Sequence, residues 1–148
     1  MRISIVVILF SGLMVLACNK NARIGDDCES DCKPNRVCTN DYRSMTVQVV
    51  NNSNEGVELD SFKVVRLKDK KVILDNFKSQ QHPGGSYKPG VYLLFSDSYV
   101  SETSICGEDF KFEGYLKDKV VGDGLFKIAH DCCHFNLISG NKKIVIKE

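Results

Sequence analysis

The stretch DFKFEGYL, residues 109–116, decides how this chain is expected to fold. Phe110 and Phe112 alternate with Lys111 and Glu113, so an extended backbone puts the aromatic pair on one face and the charged pair on the other. A face carrying two phenylalanines belongs to a core rather than to a ligand-stacking surface.

Similar runs lie on either side, separated by turn-forming residues. Upstream stand MTVQVV (45–50), SFKVVRL (61–67), KVILDNF (71–77) and GVYLLFS (90–96), and downstream stand GLFKIAH (124–130), HFNLIS (134–139) and KKIVIKE (142–148). Residues 51–56, 82–85, 89–90, 122–124 and 139–141 supply the Asn, Gly, Ser and Pro that turn a chain. SGN between FNLI and KIVI reads as the clearest hairpin. Lys68, Lys70 and Lys71, interrupted by Asp69, read as a solvated hairpin tip. The expected fold is all-β, a single antiparallel β-sandwich of about seven to eight strands, disulfide-stapled, after a signal peptide.

The chain opens MRISIVVILFSGLMVLAC, with Arg2, an apolar run over residues 3–16, small Ala17 and then Cys18. This is the layout of an export signal, and the run is short for a permanent membrane span. Val15-Leu16-Ala17-Cys18 resembles the bacterial lipobox. That resemblance implies cleavage before Cys18 by signal peptidase II and a diacylglycerol on its thiol. Asn19 in the next position implies release to the outer membrane. The expected organisation is a lipoprotein signal peptide over 1–17, lipidated Cys18 and a tether over 18–27, a Cys-rich N-terminal loop over 28–44, and the β-sandwich over 45–148.

Cleavage would remove 17 of 148 residues and leave 131, enough for one domain. Only Arg2 is charged in the removed part, so 20 Lys and Arg become 19 against 19 Asp and Glu. A chain so near neutrality offers no electrostatic reason to bind nucleic acid. The membrane is expected as a partner through the N-terminal lipid. Other envelope proteins or an extracellular ligand are expected at loops 78–90 and 97–108.

Seven cysteines occur, and lipidation of Cys18 leaves Cys28, Cys32, Cys38, Cys106, Cys132 and Cys133. An exported chain meets an oxidising compartment, so three disulfides are expected. Three of these cysteines lie in the N-terminal segment and three in the body, so an odd number of bridges joins the groups. The expected pattern is one bridge within the N-terminal trio, one from Cys106 to Cys132 or Cys133, and one cross-link.

HDCCHF (130–135) concentrates the chemistry-bearing residues. Phe126 and Ile128 share a strand face, whereas Phe135 and Leu137 lie at odd separation from them, so HDCC is a bulge or tight bend. In its structural reading, Cys132 and Cys133 point to opposite faces and take different disulfide partners. In the alternative, His130, Cys132, Cys133 and His134 bind zinc or copper(I), for which imidazole and thiolate are suitable ligands. Adjacent donors converge on one ion only with a special turn, and an oxidising compartment disfavours free thiols. Thiol–disulfide catalysis at Cys132 and Cys133 lacks the helix N-terminus that usually lowers a reactive thiol's pKa.

No catalytic residue and no cofactor are assigned. GxSxG and HExxH do not occur in the sequence. Asp97, Glu108 and Asp109 sit near strand ends, where acidic residues are ordinary, and His82 reads as a turn residue.

In layout, residues 45–148 resemble the transthyretin-like and immunoglobulin-like β modules of bacterial envelope proteins. The likeness rests on a strand, an Asn/Gly-rich turn, Val57-Glu58-Leu59, and later Pro89-Gly90-Val91-Tyr92-Leu93-Leu94. Asp131, Cys132, Cys133 and His134 are also similar to an element shared by a family of envelope lipoproteins, a resemblance that implies no activity. The expected function is a lipid-anchored, non-catalytic binding or structural module of the cell envelope. The alternative is an envelope metal-binding protein that uses the HDCCH bend.

Overall fold

The structure, a computed structural model, describes residue 32, residues 35–77 and residues 88–147. The export segment, Cys18, the tether, Cys28 and His82 lie outside the described residues. Strands form at every run expected from the alternation: β1 (Ser44–Val50), β2 (Ser61–Arg66), β3 (Lys71–Phe77), β4 (Val91–Ser96), β5 (Glu108–Leu116), β6 (Lys119–His130), β7 (Phe135–Ser139) and β8 (Lys143–Val145). A 3-10 helix over Asp97–Glu102 follows β4 directly.

The strands make a three-stranded sheet, ordered β4-β1-β8, and a five-stranded sheet, ordered β3-β2-β5-β6-β7. The inward residues of both form one apolar cluster. Val47, Val49, Leu94 and Phe95 come from the small sheet, and Val64, Phe110, Phe112, Phe126 and Ile128 from the large one. Phe110 and Phe112 are fully buried, as their alternation predicts. The Phe95 ring lies 5.1 Å from Phe110 and 5.4 Å from Phe135, both edge-on, so aromatic packing joins the sheets close to HDCCH.

Two expectations are corrected. The SGN segment is not a hairpin: β7 pairs with β6 in the large sheet, while β8 pairs in parallel with β1 in the small one. The sandwich is thus antiparallel except at β1–β8. Residues 122–124 are not a turn either, but lie inside β6. A Cβ on Gly122 or Gly124 would sit 3.1 Å from the Ile144 side chain, so these glycines leave room for the buried residue of β8. Filling that space draws β8 onto the small sheet and explains the crossover. The tight hairpin lies instead between β5 and β6, where Lys117 and Asp118, with φ of 48° and 61°, form the two-residue loop. Positive φ at both positions gives the type I′ twist that matches antiparallel strands.

The lysine cluster does lie at a hairpin tip, between β2 and β3, with Lys68 and Lys70 exposed. Lys68 Nζ reaches Glu108 at 2.7 Å and Lys71 Nζ reaches Glu102 at 2.6 Å, so the cluster is partly neutralised by its own domain.

Candidate functional site

His130 ends β6, Phe135 begins β7, and the two pair, so residues 131–134 are the connection of a β-hairpin. The bend expected from the slipped alternation is this turn. Its first residue shapes it: Asp131 Oδ1 accepts the amides of Cys133 at 3.0 Å and His134 at 2.9 Å. Those two amides hold the Asp131 carboxyl below its ordinary pKa. Cys132 adopts φ of 73°, a left-handed conformation that only a few non-glycine residues occupy. Its amide donates to His130 Nδ1 at 2.9 Å. A nitrogen that accepts from an N–H carries a lone pair, so this contact describes a neutral His130 imidazole.

Both adjacent cysteines bond to the N-terminal segment. Cys32 bridges Cys132 and Cys38 bridges Cys133, with Cα separations of 5.5 and 5.4 Å, ordinary for disulfides. The two cysteines do take different partners, but the expected link from Cys106 to one of them is overturned. Cys106 is itself disulfide-bonded. It belongs to the turn in which the Gly107 amide donates to Ser104 O, and Ser104 lies beside Ala129 within β6, short of the turn that carries Cys132 and Cys133. That turn is instead held by Cys32 and Cys38.

A polar relay lies beside the bridges. His134 is 6 % exposed, its Nδ1 lies 2.8 Å from Asp97 Oδ2, and its Nε2 lies 2.9 Å from Thr39 Oγ1. Asp97 also accepts the Arg43 amide on Oδ2 at 2.8 Å and the Phe135 amide on Oδ1 at 3.2 Å. Burial pushes the Asp97 carboxyl up, but hydrogen bonds from His134 and the two amides outweigh it and hold it below its ordinary pKa. An ionised Asp97 accepts from Nδ1, and Nε2 meets the Thr39 hydroxyl oxygen. One carboxylate therefore ties together the 3-10 helix, β7 and the segment leading into β1. Tyr42 adds to this attachment through its hydroxyl, 2.9 Å from both Ser96 Oγ and Ser98 Oγ.

An Asp–His–hydroxyl relay is also how many enzymes activate a nucleophile. Here Asp41 Oδ1 lies 3.6 Å from His134 Nε2, and hydrogen bonding to Thr39 heads the causes that lower the Asp41 pKa to about 2. A carboxylate beside the Thr39 oxygen opposes negative charge there, so the arrangement favours attachment over nucleophilic attack.

The four donors proposed from sequence do not form one site. Both sulfurs of the turn are in disulfides, and both His134 nitrogens have other partners. A different trio converges: the sulfurs of Cys32 and Cys132 and a ring nitrogen of His130 lie within 4.8 Å of one another. Sequence reasoning missed Asp97 and Thr39, which are 37 and 95 residues from His134. No local pattern marks them. Comparison with known protein families, curated proteins and solved structures gives no match.

Proposed function

We propose that this chain is a lipid-anchored β-sandwich of the bacterial envelope, most suited to the outer membrane, acting as a non-catalytic binding or structural module. The observation that carries this reading is the double bridge from Cys32 and Cys38 to the adjacent Cys132 and Cys133. It covalently fastens to the body the part of the chain that follows the proposed lipid-bearing Cys18. A pull on the anchor would thus reach the sandwich through two bonds rather than through the end of β1.

Oxidised cysteines are what an exported domain carries, and five of the chain's seven are disulfide-bonded among the described residues. Two of these bridges join the N-terminal group to the body among the described residues, and Cys106 is disulfide-bonded as well. The likeness to transthyretin-like modules, and to envelope lipoproteins with an Asp-Cys-Cys-His element, supports the same role. Loop 97–108 is only partly open to a partner, because Glu102 holds Arg66 and Lys71, and Thr103 donates to Ile128 O. Its exposed part includes Ser101, Ile105 and Cys106.

The full chain, expressed in a two-membrane bacterium with an alkyne-tagged fatty acid, tests the reading. Expected are lipid on Cys18, loss of residues 1–17, membrane fractionation, and accumulation of precursor when signal peptidase II is inhibited. Export as a lipid-free soluble protein would overturn the anchor. Hydrolysis of ester, peptide or glycoside substrates by the purified module, lost in Thr39→Val, would overturn the non-catalytic role.

A further inference from the structure

We propose that Cys32, Cys132 and His130 form a thiol-gated copper(I) site, closed while the Cys32–Cys132 disulfide stands and opened when a dithiol reduces it. The two sulfurs and the imidazole nitrogen already lie within 4.8 Å of one another, brought together from the N-terminal segment, the hairpin turn and the end of β6. Two soft thiolates and an imidazole are a donor set that favours copper(I). Structural zinc normally takes four protein ligands, whereas copper(I) is satisfied by three. His130 is 9 % exposed, and the end of β6 holds its ring beside both sulfurs.

The second bridge makes such gating physically reasonable. When Cys32–Cys132 opens, Cys38–Cys133 and the Thr39–His134 contact still hold the segment on the turn. The freed thiols therefore remain near each other instead of separating with an unfolding strap. The left-handed Cys132 also points to a constrained local backbone, which residues at functional turns often show.

The chemistry balances without further components. A dithiol reductant gives two electrons and two protons to the disulfide, forming two cysteine thiols and its own disulfide. Copper(I) then displaces both thiol protons and accepts lone pairs from the two sulfurs and one imidazole nitrogen. Two protons leave to solvent, and copper is not oxidised or reduced. The oxidised form of the same dithiol reverses the exchange: it takes two electrons from the thiolate pair and two protons from solvent, and the re-formed Cys32–Cys132 bond expels the ion.

The test uses the soluble oxidised chain from Asn19 onward, under argon, with limiting dithiothreitol. Differential alkylation and mass mapping identify the opened bridge, and copper(I) is titrated in competition with a chromogenic chelator. The species with Cys32–Cys132 open is expected to bind one equivalent, with X-ray absorption showing two sulfur neighbours and one nitrogen. His130→Gln, reduced to the same extent, is expected to bind at least about tenfold more weakly and to lose the nitrogen neighbour, since about 1.4 kcal/mol corresponds to a factor of ten. The oxidised chain is expected to bind none. Equal affinity in His130→Gln, a sulfur-only coordination shell, or loss of β circular dichroism on opening this bridge would each overturn the proposal. None of these results depends on whether Cys18 carries lipid.

Discussion

The middle of the sandwich and the end where the N-terminal segment is strapped down are stabilised in different ways. In the middle, Phe62, Tyr92 and Phe112 form one aromatic group, with ring centroids 5.3 to 6.3 Å apart, and the contribution is spread over many apolar contacts. At the strapped end, two disulfides and one half-buried carboxylate do most of the holding. Dispersed packing tolerates small losses and responds little to pH or redox state. Concentrated linkage fails in steps, each of which a particular reagent can trigger.

The strongest way to break this comparison is to replace Cys32, Cys38, Cys132 and Cys133 together with serine. The bridges span sequence separations of 100 and 95, so removing both releases a long closed loop, worth about 5 kcal/mol on chain-entropy grounds. Replacing only Cys38 and Cys133 leaves nearly the same loop closed and should remove roughly 2 kcal/mol. Urea unfolding of both variants measures this, and equal losses would show that Cys32–Cys132 adds nothing once Cys38–Cys133 is gone.

Phe112→Ala tests the other region. A fully buried phenylalanine truncated in a packed core should lower stability by about 4 kcal/mol, with no change in the reducibility of the bridges. A loss below about 1 kcal/mol would show that the core collapses around the gap.

Asp97→Asn sharpens the comparison through pH. The Asp97 carboxyl sits below its ordinary value of 3.8, so its stabilising contribution is complete above that value and is lost as pH falls through the lower folded value. The substitution should remove roughly 2 kcal/mol at neutral pH and flatten the decline in stability below about pH 4. Acid unfolding of Phe112→Ala should keep the wild-type pH profile at lower overall stability. Lys68→Ala, at the exposed hairpin tip, should change stability by less than about 0.5 kcal/mol, readable in the same titrations.

What could be read from the sequence follows the same division. Strand positions were legible because alternation is local and the core imposes it on each strand; Val47 and Val49 announce β1 as plainly as Phe110 and Phe112 announce β5. Partnership was less legible. FNLI and KIVI flank a good turn signal, yet they join different sheets because Ile144 fills the space left by two glycines of β6. Gly122 and Gly124 looked like turn residues because absent side chains serve both purposes. At the candidate site, cysteine parity announced a tie between the N-terminal segment and the body, and the slipped alternation announced the bend. The identity of the bridges, and the choice of Asp97 over other acidic residues, depend on how distant segments meet.

The parallel pairing of β1 with β8 sets an order on the chain's biogenesis. Strand β1 is the middle strand of the small sheet, and its second neighbour is the last strand described. A ribosome delivers the chain from its N-terminus, so one edge of β1 stays open until residues 143–145 emerge. Val49 and Val50, completely buried at the end, wait longest for cover. Pairings so distant in sequence form slowly and leave strand edges open to aggregation meanwhile. The nascent domain therefore has a long interval in which a holding chaperone would matter, and a stop codon before residue 143 would make that interval permanent.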